Sequence, residues 1–322
     1  MTSRGKDWVS ALSTQLENRN IHILVAEQDN QVVGFIHIRI VKRGIDVVDS
    51  RLKRLVKGQL GIYANESDTI MQTVKYGHIL EIYVDPQLHN RGIKVALIEA
   101  CIEWSRSQQV SELQVEINPK EEALIRFYRR VEFNDSSFMI QRRLPKRLPP
   151  PKDYIRFADQ DDLPQLIELM KIHMTYQQSL TNSFKLLQEV NWSQYISSIM
   201  KNRSSEIFVA DQNGQLVGYF ETRIYQRGVY GIKSYIRSIV QRNVFSKKNQ
   251  PEPFGVMENI YVLPEFRPRG VAQNLILGGA KWFRNKGVEE ALGIIWANNE
   301  STLKLVRAIG FDTIKITLSK RI

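Results

Sequence analysis

The sequence predicts an α/β chain with a mixed sheet, built as two tandem copies of one domain. Three observations predict it: an internal repeat, an alternation of strand-like and helix-like segments, and a proline-rich break between the copies. Shifted by 184 positions, the chain lays Trp8 on Trp192, Val25 and Ala26 on Val209 and Ala210, and Val33 and Gly34 on Val217 and Gly218. Of the 38 residues from 7 to 44, 15 are identical without a gap, far beyond chance, and self-similarity of this kind marks a duplicated unit. After a loop six residues shorter in the second copy, a shift of 178 resumes the match, with Ile82, Tyr83 and Val84 on Ile260, Tyr261 and Val262, and Arg91 and Gly92 on Arg269 and Gly270. Residues 145–153 read PKRLPPPKD, and prolines favour an extended, semi-rigid spacer. The expected division is therefore a first domain at 1–144, a linker at 145–153 and a second domain at 154–322, a size that suits 322 residues.

The second copy opens with a short strand at 154–158, followed by Asp161, Asp162, Leu163 and Pro164 leading an amphipathic helix through Leu166, Leu169 and Met170. The first copy has no counterpart, because Met1 falls on the equivalent of Lys185. Either it lacks its first strand and helix, or the true start lies upstream. Strands at 206–210 and 217–224 are joined through Asp211, Gln212, Asn213 and Gly214, and Asn-Gly is the strongest short hairpin signal. Val229, Ile232, Tyr235, Ile236, Ile239 and Val240 recur at helical spacing over 229–243, with a basic opposite face and a counterpart at 45–60. A strand over 257–263 ends at Pro264. A helix over 270–286 presents Leu275, Ile276, Gly279, Trp282 and Phe283 on one face and stops at Gly287. A strand at 291–296, a helix at 301–308 and a strand at 311–318 complete the copy. A hairpin followed by alternating strands and helices gives a mixed sheet with helices on both faces.

Composition narrows the class. The chain is 43% hydrophobic and 25% charged, ordinary for a globular protein, with no apolar run near the roughly 20 residues a membrane span needs and an N-terminus too polar for a secretory signal. A cytoplasmic protein without membrane contact is expected. The single cysteine, Cys101, lies on the apolar face formed with Leu97 and Trp104 and reads as core rather than nucleophile. Of the net charge of +11, residues 154–322 carry +7, from 22 Lys and Arg against 15 Asp and Glu. Such a surplus suits a nucleotide cofactor, RNA or an acidic peptide. Aromatic interleaving for nucleic acid is thin, with Tyr230 and Tyr235 the obvious candidates, so nucleic acid is not the expected partner.

The segment that carries chemistry is the basic turn between the 257–263 strand and the helix that follows, Pro264, Glu265, Phe266, Arg267, Pro268, Arg269, Gly270, Val271 and Ala272. A helix N-terminus exposes unpaired amide N–H groups and about half a positive charge, which together bind phosphate. Gly270 and the small Ala272 let the backbone approach an anion closely, while Pro268 has no N–H to give, so the cradle falls to the amides from Arg269 onward.

Arg267-x-x-Gly270-x-Ala272, preceded by Ile-Tyr-Val-x-Pro and followed by Gly310-Phe311, resembles the signature of the GCN5-related N-acetyltransferase (GNAT) superfamily. The resemblance spans the second copy and, through the repeat, most of the first, so it implies two tandem GNAT-like domains. It implies acetyl-CoA as cofactor, held by Arg267, Arg269, Gly270, Val271 and Ala272 at the pyrophosphate. Ile260, Tyr261 and Val262 would run beside the pantetheine arm, and Asn299 would touch the same arm. It implies direct acetyl transfer to a primary amine of a small molecule or peptide, with Glu258 as the base that takes the proton.

The copies depart from the family pattern in opposite ways. In the first, His89-x-x-Gly92-x-Lys94 replaces both flanking positions and Glu121 replaces the asparagine, so its site reads as degenerate. Yet it keeps Phe127-Tyr128, the tyrosine many members use as general acid, where the second has Leu305-Val306. That loss leaves a second reading open, a non-catalytic acyl-CoA sensor or interaction module.

Overall fold

The computed structural model describes residues 20–43, 74–88, 91–180, 190–226 and 253–322. The basic helices expected at 45–60 and 229–243 lie outside them, as does His89. The described chain forms two compact units that do not follow chain order.

The first unit holds residues 20–43, 74–88 and 91–136 together with Lys315–Ile322. Its strands are β1 (Ile21–Gln28), β2 (Gln31–Arg43), β3 (Val74–Val84), β4 (Glu112–Ile117) and, from the far end of the chain, β11 (Asp312–Arg321). β1 to β3 pair antiparallel in succession, β4 pairs parallel to β3, and β11 closes on β4 antiparallel with Ile316 opposite Ile117. Two helices, α1 (Ile93–Ser107) and α2 (Glu122–Arg130), bury Leu97, Ile98, Cys101, Ile125 and Tyr128 against Ile36, Ile38, Ile79 and Leu318. Cys101 is fully enclosed, and burial pushes its thiol up to about 12, so it is core filling and no thiolate nucleophile.

The second unit repeats the plan, with two helices more among the described residues. β6 (Ile155–Phe157), β7 (Ser205–Gln212), β8 (Gln215–Gln226) and β9 (Pro253–Val262) pair antiparallel in succession, and β10 (Glu290–Trp296) lies parallel to β9. The place that β11 takes in the first unit is taken here by β5 (Asn134–Arg143), antiparallel to β10 from Arg143 opposite Glu290 to Ser137 opposite Trp296. The last strand of each sequence copy thus completes the sheet of the other copy's unit.

The hairpin turn is where the sequence puts it. Asn213 and Gly214 have φ of 56° and 84°, and Asp29 and Asn30 make the same turn in the first unit with 53° and 58°. Two positive-φ residues give the twist that two paired strands need.

Strand alternation sends the residues of the second unit to two cores. Phe208, Ala210, Val217, Phe220 and Val262 meet α5 (Val271–Asn285) and α6 (Glu300–Ala308) on one face. Ile207, Val209, Leu216, Tyr219 and Tyr261 meet α3 (Leu163–Leu180) and α4 (Trp192–Lys201) on the other. Arg156 of β6 anchors the start of α3, reaching the buried Asp162 at 2.6 Å and Asp211 of β7 at 2.8 Å, and its hydrogen bond to Asp162 holds that carboxyl below the usual range. The linker residues 145–153 are neither helix nor strand, and Leu148 among them packs on the α5 core.

Candidate functional site

The site lies where β9 and β10 part. Their parallel pairing covers Ala291 with Gly255, Leu292 with Val256 and Gly293 with Met257, and no pairing follows. On its other edge β9 stays paired with β8 to Val262, but through a bulge: Asn259 faces Glu221 and Met257 faces Thr222, so Glu258 is the extra residue. A bulge bends and twists its strand, which accounts for the separation. Beyond it opens a cleft of about 520 Å³ including its mouth, lined by Met257, Glu258, Asn259 and Ile260 on one strand and by Gly293, Ile294, Ile295 and Trp296 on the other.

The register decides which main-chain groups face this gap. The amide of Leu263 donates to Val217 O, toward β8, at 2.9 Å. By the two-residue period, Tyr261 also turns its N–H and C=O to β8, while Ile260 and Val262 turn theirs to the gap. The Val262 carbonyl is taken by Arg267 Nε at 2.8 Å, leaving the Val262 N–H and both groups of Ile260 as an open edge.

Gly270 caps α5 with φ of 75°, a conformation that favours glycine, and a Cβ placed there would meet nothing closer than 3.9 Å. The residue is needed for the turn's backbone, not for packing room. No side chain caps the helix, and among the described residues no acceptor takes the amide N–H of Gly270, Val271 or Ala272. That of Arg269 makes only a long bond of 3.4 Å to Phe266 O. Three convergent free donors at the positive end of a helix form an anion seat.

Arg267 is exposed, with its guanidinium 5.1 Å from the Tyr261 ring and 5.8 Å from Tyr176, so it also braces the turn against β9. Tyr261 is buried, stacked on His173 at 5.0 Å, and reaches the gap with neither side chain nor main chain. Arg269 is exposed, over Phe266. Val271 is buried in the α5 core and offers its amide alone, beside the half-buried Ala272. Asn299 lines the cleft as the N-cap of α6; its Oδ1 accepts from Thr302 N at 3.3 Å and from Ser301 Oγ at 3.2 Å, so its –NH₂ is what remains for a ligand. Glu258 lines the cleft and accepts a hydrogen bond from Tyr225 Oη at 2.9 Å. Burial, and then the Glu258 charge, push the Tyr225 phenol well above its ordinary range and keep it a donor.

Sequence reasoning missed the polar groups around that carboxylate. Glu221, nearly fully buried, accepts from Asn259 Nδ2 at 2.7 Å and from Tyr195 Oη of α4 at 3.2 Å, with Arg223 at 3.8 Å. It ties both sides of the bulge together. A signal was present: Glu221, Arg223 and Tyr225 recur at period two against Phe220, Thr222 and Ile224. Also missed was a buried chain from Tyr219 through His173 to Gln177, which reaches the cleft wall. Among the described residues no three His, Cys, Asp or Glu side chains gather as metal ligands, and no helix is long and apolar enough to cross a membrane.

The first unit keeps the frame and changes the chemistry. Gly92 repeats the left-handed cap, with φ of 76°, and a bulge recurs between Glu81 and Ile79, leaving Leu80 where Glu258 stands. Lys94 lies with its ammonium 5.9 Å from the Phe127 ring. Tyr128 is buried edge-on to Phe127 and Phe133, and burial with the neighbouring Cys101 lifts its phenol above the ordinary range.

Comparison with known proteins bears out the tandem reading. The model of the Acetyltransferase (GNAT) family matches residues 3–133 and again 168–311, and the chain belongs to that family. Aminoglycoside N(6')-acetyltransferases type 1 of Salmonella typhimurium and Salmonella enteritidis are each 30% identical over 105 residues, 33% of this chain. The chain spans 61% of the length of these curated relatives. Among solved structures, a GCN5-related glucosamine N-acetyltransferase region of a fungal multi-domain GH3 β-N-acetylglucosaminidase shares the fold, with a TM-score of 0.50 at 14% identity over 98% of this chain and 35% of that one. A tandem GNAT protein from the clavulanic acid biosynthesis pathway aligns over 94% of this chain and 84% of that one, at 12% identity and a TM-score of 0.41.

Proposed function

We propose that this protein is an acetyl-CoA-dependent N-acetyltransferase that works from its second unit, acting on a primary amine of a small molecule or peptide by direct transfer. The observation that carries the reading is the union of two features: free amides at the N-terminus of α5, and a gap between β9 and β10 that begins beside them. The residues fit the cofactor. The amides of Gly270, Val271 and Ala272 would hold the pyrophosphate, with the exposed Arg269 adding charge. The open edge of Ile260 and Val262 would pair with the pantetheine amides as an added strand does. The Asn299 –NH₂ would touch the same arm.

When bound, acetyl-CoA supplies an activated acyl group. The chain's own part is to orient and to move a proton. Glu258, on the bulge and at the cleft wall, would accept the proton of the incoming ammonium, and the Tyr225 hydrogen bond fixes its carboxylate. Glu221 would position it indirectly by pinning Asn259. The names of the curated relatives, aminoglycoside acetyltransferases, support an amine as acceptor.

One observation favours a second reading. Val306 lines the cleft where many members of the family carry a tyrosine, and it has no proton to give. A non-catalytic acyl-CoA sensor would have that composition. The two separate in one experiment: acetyl-CoA is incubated with the protein and a panel of aminoglycosides, polyamines and peptides, and free CoA thiol is followed. Release that depends on an amine is expected. Tight calorimetric binding of acetyl-CoA without release for any amine would favour the sensor, and no binding would remove both.

A further inference from the structure

Gln177 sits in the last turn and a half of α3, a part of the helix that bridges the site. The His173 ring stacks on Tyr261 of β9, at 5.0 Å and 23°, and the Leu180 carbonyl at the helix end accepts from Asn298 Nδ2, just beyond β10, at 3.1 Å. Between these anchors α3 passes over the place where the two strands part, and Gln177 lines the cleft there.

Its amide is held from behind. His173, 1% exposed, has Nδ1 at 2.6 Å from Tyr219 Oη and Nε2 at 2.9 Å from Gln177 Nε2, and a half-turn of the carboxamide exchanges that nitrogen for its oxygen at the same place. Burial, and then the nearby Arg267 charge, push the imidazole down to about 3, so it is neutral and carries one proton. Two arrangements are possible. If Nδ1 held the proton, Tyr219 would accept, and its own O–H would lack a partner among the described residues. The Gln177 carboxamide oxygen would be stranded as well, since the amide end away from His173 is buried and meets no partner. If instead Tyr219 donates to Nδ1, Nε2–H donates to the Gln177 oxygen once the carboxamide is turned by that half-rotation, and only the Gln177 –NH₂ is left over. The second arrangement leaves fewer buried groups unpaired, and a phenol as strongly held to its proton as Tyr219 suits it.

We infer that Gln177 is a cofactor-positioning residue whose –NH₂, aimed by the Tyr219–His173 chain, donates a hydrogen bond to a carbonyl oxygen of the pantetheine arm. The inference rests on the acetyl-CoA reading. The Ile260 and Val262 edge holds one side of the arm, and Gln177 holds it from the other, which sets the depth at which the thioester lies relative to Glu258.

The test compares two probes by calorimetry: acetyl-CoA, and adenosine 3',5'-bisphosphate, which lacks the arm. Wild-type protein binding both is the premise; if acetyl-CoA does not bind wild type, the acetyl-CoA reading itself fails. Gln177→Leu is expected to weaken acetyl-CoA on the order of tenfold, the scale of one neutral hydrogen bond, and to leave the bisphosphate unchanged. Gln177→Met, nearly isosteric and without a donor, gives the same result should the leucine variant fold poorly. His173→Phe is expected to reproduce part of the loss. In nitrogen-15 spectra of wild type the His173 proton is expected on Nε2. Unchanged acetyl-CoA affinity in a folded variant overturns the inference, as does equal loss of both probes or a rise in KM for the amine alone. A proton on Nδ1 overturns the arrangement on which it stands.

Discussion

The two units share one frame and differ at the few positions where chemistry occurs. Both have the positive-φ glycine before a helix, the strand bulge and the parting of two parallel strands. At the bulge one carries Leu80 and the other Glu258, and the neighbours change with it: His37, Val41 and Glu81 against Glu221, Tyr225 and Asn259. The covering differs too. Val25, Val32 and Tyr83 of the first unit are 56%, 64% and 48% exposed, whereas their equivalents Val209, Leu216 and Tyr261 are 0%, 3% and 6% exposed beneath α3 and α4. The described residues of the first unit include no helix over that face. The core and turns that both units need to fold are kept, and the differences fall on the polar and charged positions around the bulge.

The largest expected effect tests the shared frame. Deleting Lys315–Ile322 removes the residues that pair with Glu112–Ile117, along with the fully buried Leu318 and the Lys315–Glu116 ion pair of 2.8 Å. Loss of the cooperative unfolding of the first unit is expected. The milder Leu318→Ala should cost about 2–4 kcal/mol by denaturant titration. An unchanged transition in both would show that the exchanged strand is dispensable.

Next comes the difference at the bulge. Glu258→Gln is expected to lower kcat/KM by about 10²–10⁴, the usual worth of a positioned base, with little change in the Kd of acetyl-CoA. The reciprocal Leu80→Glu should give the first unit no activity, because Val41 stands at the position of Tyr225 and has no hydroxyl to hold the new carboxylate. Activity gained by Leu80→Glu in a Glu258→Gln background would contradict the view that the first site has decayed at several positions together.

A third pair compares the caps. Gly270→Val forces a β-branched residue into a left-handed conformation, at a cost of about 1–2 kcal/mol, and turns the amides from a shared target. Acetyl-CoA affinity is expected to fall by tens of fold. Gly92→Val carries the same strain but should leave that affinity unchanged. Equal losses from both would mean that two units bind.

How much of this could be read from residues alone divides along physical lines. Local signals were legible: the Asn213-Gly214 turn, the helix that begins one residue after Gly270, and the buried Cys101. These depend on near neighbours in the chain. The exchange of β5 and β11 was not legible, because a strand's own pattern is the same whichever parallel strand it pairs with. Nor was the bulge at Glu258, which exists only in the register between β8 and β9. The bond from Arg267 to the Val262 carbonyl was not legible for the same reason. An arginine in an anion-binding turn reads as a phosphate ligand, and only the nearness of the Val262 carbonyl shows its Nε engaged elsewhere.

The smallest effect sharpens the contrast in covering, since α3 has no counterpart among the described residues of the first unit. His173 is held neutral down to about pH 3, while the unfolded chain protonates it near 6.5. Below 6.5 the unfolded state therefore binds more protons than the folded one. The stability associated with this histidine is complete above 6.5 and falls as pH drops toward 3, with a limiting slope of about 1.4 kcal/mol per pH unit. His173→Asn removes the titration, so the difference between variant and wild type in denaturant midpoint should change across that window and be flat above pH 7. A difference independent of pH from 4 to 8 would mean that solvent reaches the imidazole, and that the covering of this face by α3 is looser than its packing against Tyr219 and Tyr261 implies.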